Sequence, residues 1–200
     1  MTETRDRILA AGKAEFADHG YGGGRIERIA KAARANLRMI YHYFGDKEGL
    51  YLAVLEAAYN EMRKRESRLR LDDHEPEEGM RTLIAFTFDH FLRHPEFVAL
   101  LASENTRKAK TTRKSKVVPA LAVPIMGLIR DLLKRGIESG KFRDGVDAVQ
   151  FFVTLHAVCY LHISNRHTMS AMLQLDLGDR RWLLRRRKHV VDVLMGYLLK

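Results

Sequence analysis

Six side chains near the amino end have the types and spacing expected of a surface that reads DNA. They are Asn36, Arg38, Met39, His42, Tyr43 and Lys47. Arg and Asn side chains can make paired hydrogen bonds to guanine and adenine edges in the major groove, and Lys and Tyr side chains can bind phosphate oxygens. We therefore expect Tyr43 and Lys47 to hold phosphates. The other four are expected to face bases or the backbone nearby.

Two short helices separated by a turn are predicted to position these side chains. Apolar residues recur at helical spacing over residues 26–33, stop at residues 34–36, and resume at Leu37, Ile40, Tyr41 and Phe44. Both apolar stripes are expected to face inward. The opposite face of the second helix then carries the polar side chains.

This stretch resembles the DNA-binding domain of the TetR family of transcriptional regulators. The matching positions are residues 5–12, 15–21, 29–33, 40–44 and 47–50, together with Ile26. The resemblance implies a three-helix helix-turn-helix domain over residues 1–47, followed by a helix that joins this domain to the rest of the chain.

The sequence departs from the family pattern at two positions. Gly24-Arg25 stand where a hydroxyl residue usually opens the second helix, and Arg34 stands where a glycine usually fills the turn. We expect the charge of Arg25 to replace the phosphate contact that the hydroxyl would make. Arg34 is expected to adopt a turn conformation with positive φ.

Composition excludes several classes of protein. With 46% hydrophobic and 30% charged residues, the 200-residue chain has the composition of a globular protein. No apolar run reaches the ~18 residues needed to span a bilayer, and the amino end has no apolar signal core, so neither a membrane partner nor export is expected. The single cysteine, Cys159, cannot form an internal disulfide, which favours a cytoplasmic location. The net charge of +10 favours a polyanionic partner, although charge also serves solubility.

Residues 48–200 are predicted to form an all-α bundle for ligand binding and dimerisation. Helical apolar spacing predicts helices near residues 77–94, 96–108, 119–139, 147–165 and 179–200, with a loop through Gly178 in which Leu173 and Leu175 pack down. The last two helices are too apolar for one chain to cover. We therefore expect a homodimer with a four-helix interface about a two-fold axis; the alternative is a monomer with an ordinary core.

The densest charge run is residues 107–116, which contain six Lys or Arg residues and no acid. A block of like charge is usually a solvated loop or helix end, and this is the interpretation that we favour. A second nucleic-acid patch is the alternative.

Polar residues inside the apolar stretches of the carboxyl half predict a small-molecule site, since ligand pockets combine apolar walls with a few orienting polar groups. The candidates are His90, Asn105, His156, Tyr160, Ser164 and Asn165. Each of them can instead hydrogen-bond within the bundle. His156, Cys159 and His162 are spread over about 9 Å of helix rise, too far for one ion, so no metal or other cofactor is expected.

The carboxyl half is also similar, more weakly, to a TetR subgroup that includes regulators of pyrimidine utilisation. The similar stretches are residues 94–97, 113–116, 140–143, 164–168 and 186–192. This resemblance implies a small metabolite as effector.

Together these features predict a ligand-responsive repressor that binds a palindromic operator in double-stranded DNA. An activator or a sequence-tolerant DNA-coating protein with the same DNA-binding domain is the alternative. A remote alternative is an all-α enzyme that uses His156 or His167 as a base. No motif such as His-Glu-x-x-His or Gly-x-Ser-x-Gly supports it.

Overall fold

The computed structural model describes residues 2–200 and is all-α, as the sequence predicts. Ten helices occur within these residues: α1 (Thr2–Gly23), α2 (Ile26–Ala32), α3 (Leu37–Phe44), α4 (Lys47–Ser67), α5 (Pro76–Arg93), α6 (Pro95–Thr106), α7 (Val117–Glu138), α8 (Ala148–Ser164), α9 (Arg166–Leu173) and α10 (Arg180–Leu198). Two short 3-10 turns lie at Leu71–Asp73 and Thr112–Lys114. None of the helices described is both long enough and apolar enough to cross a bilayer.

The chain divides into two compact units. Unit 1 contains the residues up to 61 and residues 95–121, and unit 2 contains residues 62–94 and 122–200. Helix α4 begins in unit 1 and ends in unit 2, and α6 belongs to unit 1 although it follows α5 of unit 2.

Aromatic and aliphatic side chains form the core of unit 1. Its fully buried side chains include Ile8, Phe16, Ile29, Ile40 and Leu50. The ring of Phe16 packs edge-on against Tyr51, with ring centroids 4.9 Å apart. Gly20, at φ 63°, kinks α1. Gly24 lies so close to Phe16 that a Cβ atom would come within 2.6 Å of the ring, so only glycine fits there.

Helix α6 is held in unit 1 by contacts along its length. At its start, Lys13 Nζ lies 2.8 Å from the carboxylate of Glu96. At its end, Ser103 Oγ accepts a hydrogen bond from the backbone N–H of Tyr21 at 3.3 Å. A segment that follows residue 94 is therefore packed in the same unit as the helix-turn-helix.

Unit 2 packs α5, α8 and α10 around a second apolar core. Its buried side chains include Phe88, Phe91, Phe151, Leu155, Val190 and Leu194. Arg187 of α10 donates two hydrogen bonds to Asp89 of α5, at 2.8 and 3.1 Å. Gly136 lies so close to Phe142 that a Cβ atom would come within 2.0 Å of the ring, so this position also requires glycine.

The loop predicted before Gly178 is wrong, because residues Arg166–Leu173 form helix α9. Leu173 and Leu175 are 48% and 55% exposed, and Leu177 is the residue that packs down. Gln174 ends the helix at φ 52° and redirects the chain, and Ser170 Oγ then accepts a hydrogen bond from the N–H of Leu177. The turn at Gln174 and this hydrogen bond decide which leucine is buried.

Candidate nucleic-acid interface and effector region

The turn between α2 and α3 is closed by backbone hydrogen bonds. Arg34 has φ 50°, which confirms the predicted positive φ. The N–H of Ala35 donates to the carbonyl of Ala30 at 3.0 Å, and Arg7 Nε donates to the carbonyl of Ala33 at 3.1 Å. These bonds satisfy carbonyls that the end of α2 leaves without helical partners. The turn is thereby held by a backbone bond of its own and by a side chain of α1.

The start of α2 is held from α1. The carboxylate of Glu15 accepts the backbone N–H of Arg25 and Arg28 Nε, both at 2.8 Å. The Arg28 hydrogen bond is the largest influence that lowers the pKa of Glu15. Glu15 thus satisfies the backbone N–H of the N-cap residue, where the family pattern would supply a hydroxyl, and the side chain of Arg25 is left exposed and makes no capping bond.

Asn36 is the N-cap of α3. Its Oδ1 accepts the backbone N–H of Met39 at 2.9 Å. An N-cap of this kind stabilises a helix by about 1 kcal/mol. The oxygen of Asn36 is therefore engaged, and its amide N–H groups remain to donate to a base or phosphate.

Helix α3 presents most of the predicted side chains to solvent. Arg38 and His42 are exposed, and Met39 and Tyr43 are half-buried. The predicted inward stripe is wrong at two residues, since Leu37 is 39% and Tyr41 49% exposed. An eight-residue helix makes about two turns, so the core covers Ile40 and part of Phe44 and leaves the flanking positions uncovered. Leu37 and Tyr41 are thus candidate contacts that sequence spacing missed.

The start of α4 is packed tightly against the end of α3. Asp46 Oδ1 accepts the backbone N–H of Gly49 at 2.7 Å and so caps the start of α4. A Cβ atom on Gly49 would lie 2.0 Å from the carbonyl oxygen of Phe44, so only glycine allows this approach. Lys47 is thereby placed in the first turn of α4, where free backbone N–H groups favour an anion.

Lys47 lies beside the ring of Tyr21 and close to other cations. Lys47 Nζ lies 4.7 Å and Arg107 Cζ 3.6 Å from the centre of the Tyr21 ring. Burial lowers the pKa of Lys47, and the nearby charges of Arg25 and Arg107 lower it further. Like charges in this arrangement repel one another, and a bound phosphate would relieve that repulsion.

Three of the predicted effector residues gather around Phe91 in unit 2. The Phe91 ring centroid lies 5.9 Å from that of His156, 5.6 Å from that of Tyr160 and 6.3 Å from that of His90. His156 Nδ1 hydrogen-bonds the carbonyl of Phe152 at 2.9 Å. Burial lowers the pKa of His156 to about 4, so this imidazole is neutral at ordinary pH.

Ser164 lies beside this group. Burial raises the pKa of Tyr160, and the hydrogen bond between Ser164 and Tyr160 opposes that effect. Asn165 donates to the carbonyl of Leu161 and to Ser164 Oγ, so Ser164 and Asn165 complete the end of α8. Asn105 is exposed and belongs to unit 1. The other five candidates belong to unit 2.

His162 is a buried polar residue that sequence reasoning did not place in the site. It is 2% exposed, and neither ring nitrogen has a hydrogen-bond partner among the described residues. Its ring lies 5.1 Å from that of Phe88, nearly parallel, and 5.5 Å from that of Trp182. Burial lowers its pKa to about 4, and Arg186 and Arg166 add to the effect. The sequence did carry a signal for this burial. His162 follows Leu155 by seven residues and Cys159 by three, so helical spacing places it on the same buried face of α8.

Two of the cavities of unit 2, one beside α4 and one beside α10, have charged walls. One of about 390 Å³ lies between the end of α4 and the middle of α7, and its wall includes Arg63 and the buried carboxylate of Glu66. Burial raises the pKa of Glu66 to about 7, against the lowering effect of Arg63. The other, of about 420 Å³, lies between α5 and α10 beside the Asp89–Arg187 pair. The predicted effector residues line neither of these two cavities.

Comparison with known proteins assigns both halves of the chain. The model of bacterial regulatory proteins of the tetR family matches residues 8–54, and a tetracyclin repressor-like C-terminal domain matches residues 76–194. The HTH-type transcriptional repressor NicS of Pseudomonas putida is 43% identical over 177 residues, which cover 88% of this chain and 84% of that protein. The ketosteroid transcriptional regulator KstR2 of Mycobacterium tuberculosis shares the fold, with a TM-score of 0.71, 20% identity and coverage of 98% of this chain and 95% of that one. This chain belongs to the TetR family of bacterial transcriptional regulators.

Proposed function

We propose that this protein is a ligand-responsive transcriptional repressor that binds a palindromic operator in double-stranded DNA as a homodimer. The observation that carries the proposal is the exposed polar face of α3, held by caps at Asn36 and Asp46. A short helix presented in this way fits the major groove. The proposed contacts are Arg25, Asn36, Arg38, Met39, His42, Tyr43 and Lys47, with the functional boundary of the DNA-binding domain after residue 47.

Exposed apolar stripes on α8 and α10 support the homodimer. Val149, Val153 and Leu161 of α8 are 51%, 56% and 54% exposed, and they share one face because they are four or eight residues apart. On α10, Val193 and Tyr197 are 47% and 44% exposed. A second copy would cover these stripes as a four-helix interface and would place two copies of α3 on two half-sites.

The effector is proposed to bind in unit 2. The aromatic group of Phe91, His156 and Tyr160, and the cavity bounded by Arg63 and Glu66, both combine apolar surface with a few polar atoms. The cavity touches the end of α4, the helix whose first turn carries Lys47. A ligand here changes DNA binding only if its affinity differs between the DNA-competent and DNA-incompetent shapes.

The test is binding to a duplex selected by the purified protein from a randomised library, followed by fluorescence anisotropy. If Arg38 reads a guanine, Arg38→Ala weakens binding to the selected duplex by about 1 to 3 kcal/mol and binding to a scrambled duplex much less. Arg181→Ala, an exposed arginine of α10, is the matched control and is expected to bind as the unaltered protein does. Equal binding of the unaltered protein to selected and scrambled duplexes would refute the proposal.

Footprinting separates repression from the alternatives. Protection confined to one palindrome that overlaps a promoter supports the repressor. Long cooperative protection supports a DNA-coating protein instead.

A further inference from the structure

The densest run of positive charge lies in unit 1, the unit that contains α3. We name residues 107–116 the basic loop; it carries six cations and no carboxylate. Within residues 2–200, its ion pairs are those of Arg107 with Glu104 and Lys114 with Glu48. Its other cations, Lys108, Lys110, Arg113 and Lys116, are exposed.

Two contacts fix the basic loop beside the proposed phosphate site of Lys47. The guanidinium of Arg107 and the ammonium of Lys47 both lie over the ring of Tyr21. Lys114 Nζ lies 2.7 Å from a carboxylate oxygen of Glu48, the residue next to Lys47. The end of the loop is held as well, because Ser115 Oγ donates to Glu56 of α4 at 2.7 Å.

The shape of the basic loop is set by a buried carboxylate. Glu104 is 4% exposed, and its Oε1 accepts the backbone N–H groups of Thr111 and Thr112, each at 2.7 Å. Lys108 and Ala109 adopt φ 57° and 56°, the left-handed region that non-glycine residues rarely occupy. A loop held in this way would lose little conformational freedom when it binds a partner.

We infer that the basic loop is a second phosphate-binding surface, which contacts the backbone of the DNA duplex beside the half-site that α3 reads. A charge run that serves only solubility has to be exposed but needs no fixed conformation. The basic loop, in contrast, has a defined conformation and is held next to Lys47. Its net charge complements the phosphate backbone, and it has no base-reading helix of its own. The inference rests on the proposed DNA-binding function.

The test removes three exposed loop charges that form no ion pair within residues 2–200, as Lys108→Gln, Lys110→Gln and Arg113→Gln together. The control removes three exposed cations of unit 2, as Arg68→Gln, Arg181→Gln and Arg185→Gln. Anisotropy is measured over a range of salt concentrations on two probes. One is the library-selected duplex alone, and the other is the same duplex extended by about one helical turn, about 10 base pairs, at each end.

On the extended duplex, the loop variant is expected to lower the slope of log affinity against log salt by about 0.9 for each phosphate that it no longer neutralises, which is about 1 to 3 units for three charges. The control keeps the original slope. An unchanged slope in the loop variant, an equal change in the control, or an equal change on both duplexes would overturn the inference.

Two further measurements keep the result interpretable. Thermal unfolding followed by circular dichroism is expected to be the same for the loop variant and the unaltered protein, because the three side chains are exposed. The loop variant is also expected to retain its preference for the selected over the scrambled duplex. If the unaltered protein lacks that preference, the proposed function fails; if the preference is present and the slope does not change, only the inference about the loop fails.

Discussion

The two exposed surfaces proposed for binding are built in different ways. The surface of α3 is largely polar and only eight residues long, and it lies between the side-chain caps of Asn36, at the start of α3, and Asp46, at the start of α4. The surface of α8 and α10 is apolar and extends over helices of 17 and 19 residues. The first depends on the orientation of a few hydrogen-bonding groups, and the second on the area and fit of a long stripe. One surface is suited to a polar groove, and the other to a copy of itself.

The two units also differ in how they hold buried charge. In unit 1, Glu15 and Glu104 accept backbone N–H groups, and the hydrogen bond from Arg28 lowers the pKa of Glu15. In unit 2, burial is the largest influence on the pKa values of three side chains, and it opposes the charged form of each. These side chains are Glu66, His156 and His162. Sensitivity to pH is therefore expected to arise mainly in unit 2.

The largest effect is expected from a substitution that disrupts the apolar surface of α8 and α10 and leaves the polar surface of α3 unchanged. Val153→Glu places a charge in the α8 stripe and is expected to convert the dimer into a chain of 23.0 kDa, as measured by light scattering after gel filtration. Because each copy then reads one half-site alone, affinity for the selected duplex falls by about 10² to 10⁴-fold.

Val123→Glu is the matched control for this change. Val123 is 69% exposed on α7, outside the α8 and α10 stripes. A Val153→Glu protein that keeps both its dimeric mass and its affinity would contradict the proposed interface.

An intermediate effect tests the difference in buried charge. The pKa of Glu66 is raised, so its contribution to stability is fully present below about pH 4.5 and is lost as the pH rises through about 7. Glu66→Gln imitates the protonated form. The free energy of unfolding is measured by urea titration for the variant and for the unaltered protein at about pH 5 and about pH 8. The difference, variant minus unaltered protein, is expected to be larger at pH 8 than at pH 5 by about 1 to 3 kcal/mol.

Glu138→Gln provides the comparison, since Glu138 is exposed at the end of α7. It should show no such gain with pH. Both variants retain His156 and His162, so titration of these histidines cancels in the difference. If the difference in unfolding free energy between Glu66→Gln and the unaltered protein is the same at both pH values, Glu66 is charged at both.

The smallest effect concerns one phosphate contact on the polar surface. Lys47→Ala is expected to weaken binding to selected and scrambled duplexes almost equally and to reduce the salt slope by about one unit. Salt-dependent anisotropy on both duplexes measures it. A loss confined to the selected duplex would make Lys47 a base-reading residue instead.

Features that depend on near neighbours in the chain were predictable from the sequence. Helical spacing predicted an all-α chain, and caps such as Asp46 and Asp147 are local features, because a cap bonds an N–H only two or three residues away. The positive φ of Arg34 followed from its place in a turn where the family pattern has glycine. The exposed face of α3 was predicted only in part, because which flanking residues are covered depends on the rest of the core.

Features that depend on distant neighbours were decided by the tertiary structure. Lys114 meets Glu48 across 66 residues of chain, and the Cys159–His162 turn meets α5 and α10 in the same long-range way. No local window contains both partners of such a contact, so neither the position of the basic loop beside Lys47 nor the burial of His162 follows from periodicity. The sequence by itself determined most of the helices and the family, but it missed helix α9. Packing decided which side chains are left to bind DNA, a second copy or a ligand, because burial is a property of the whole fold.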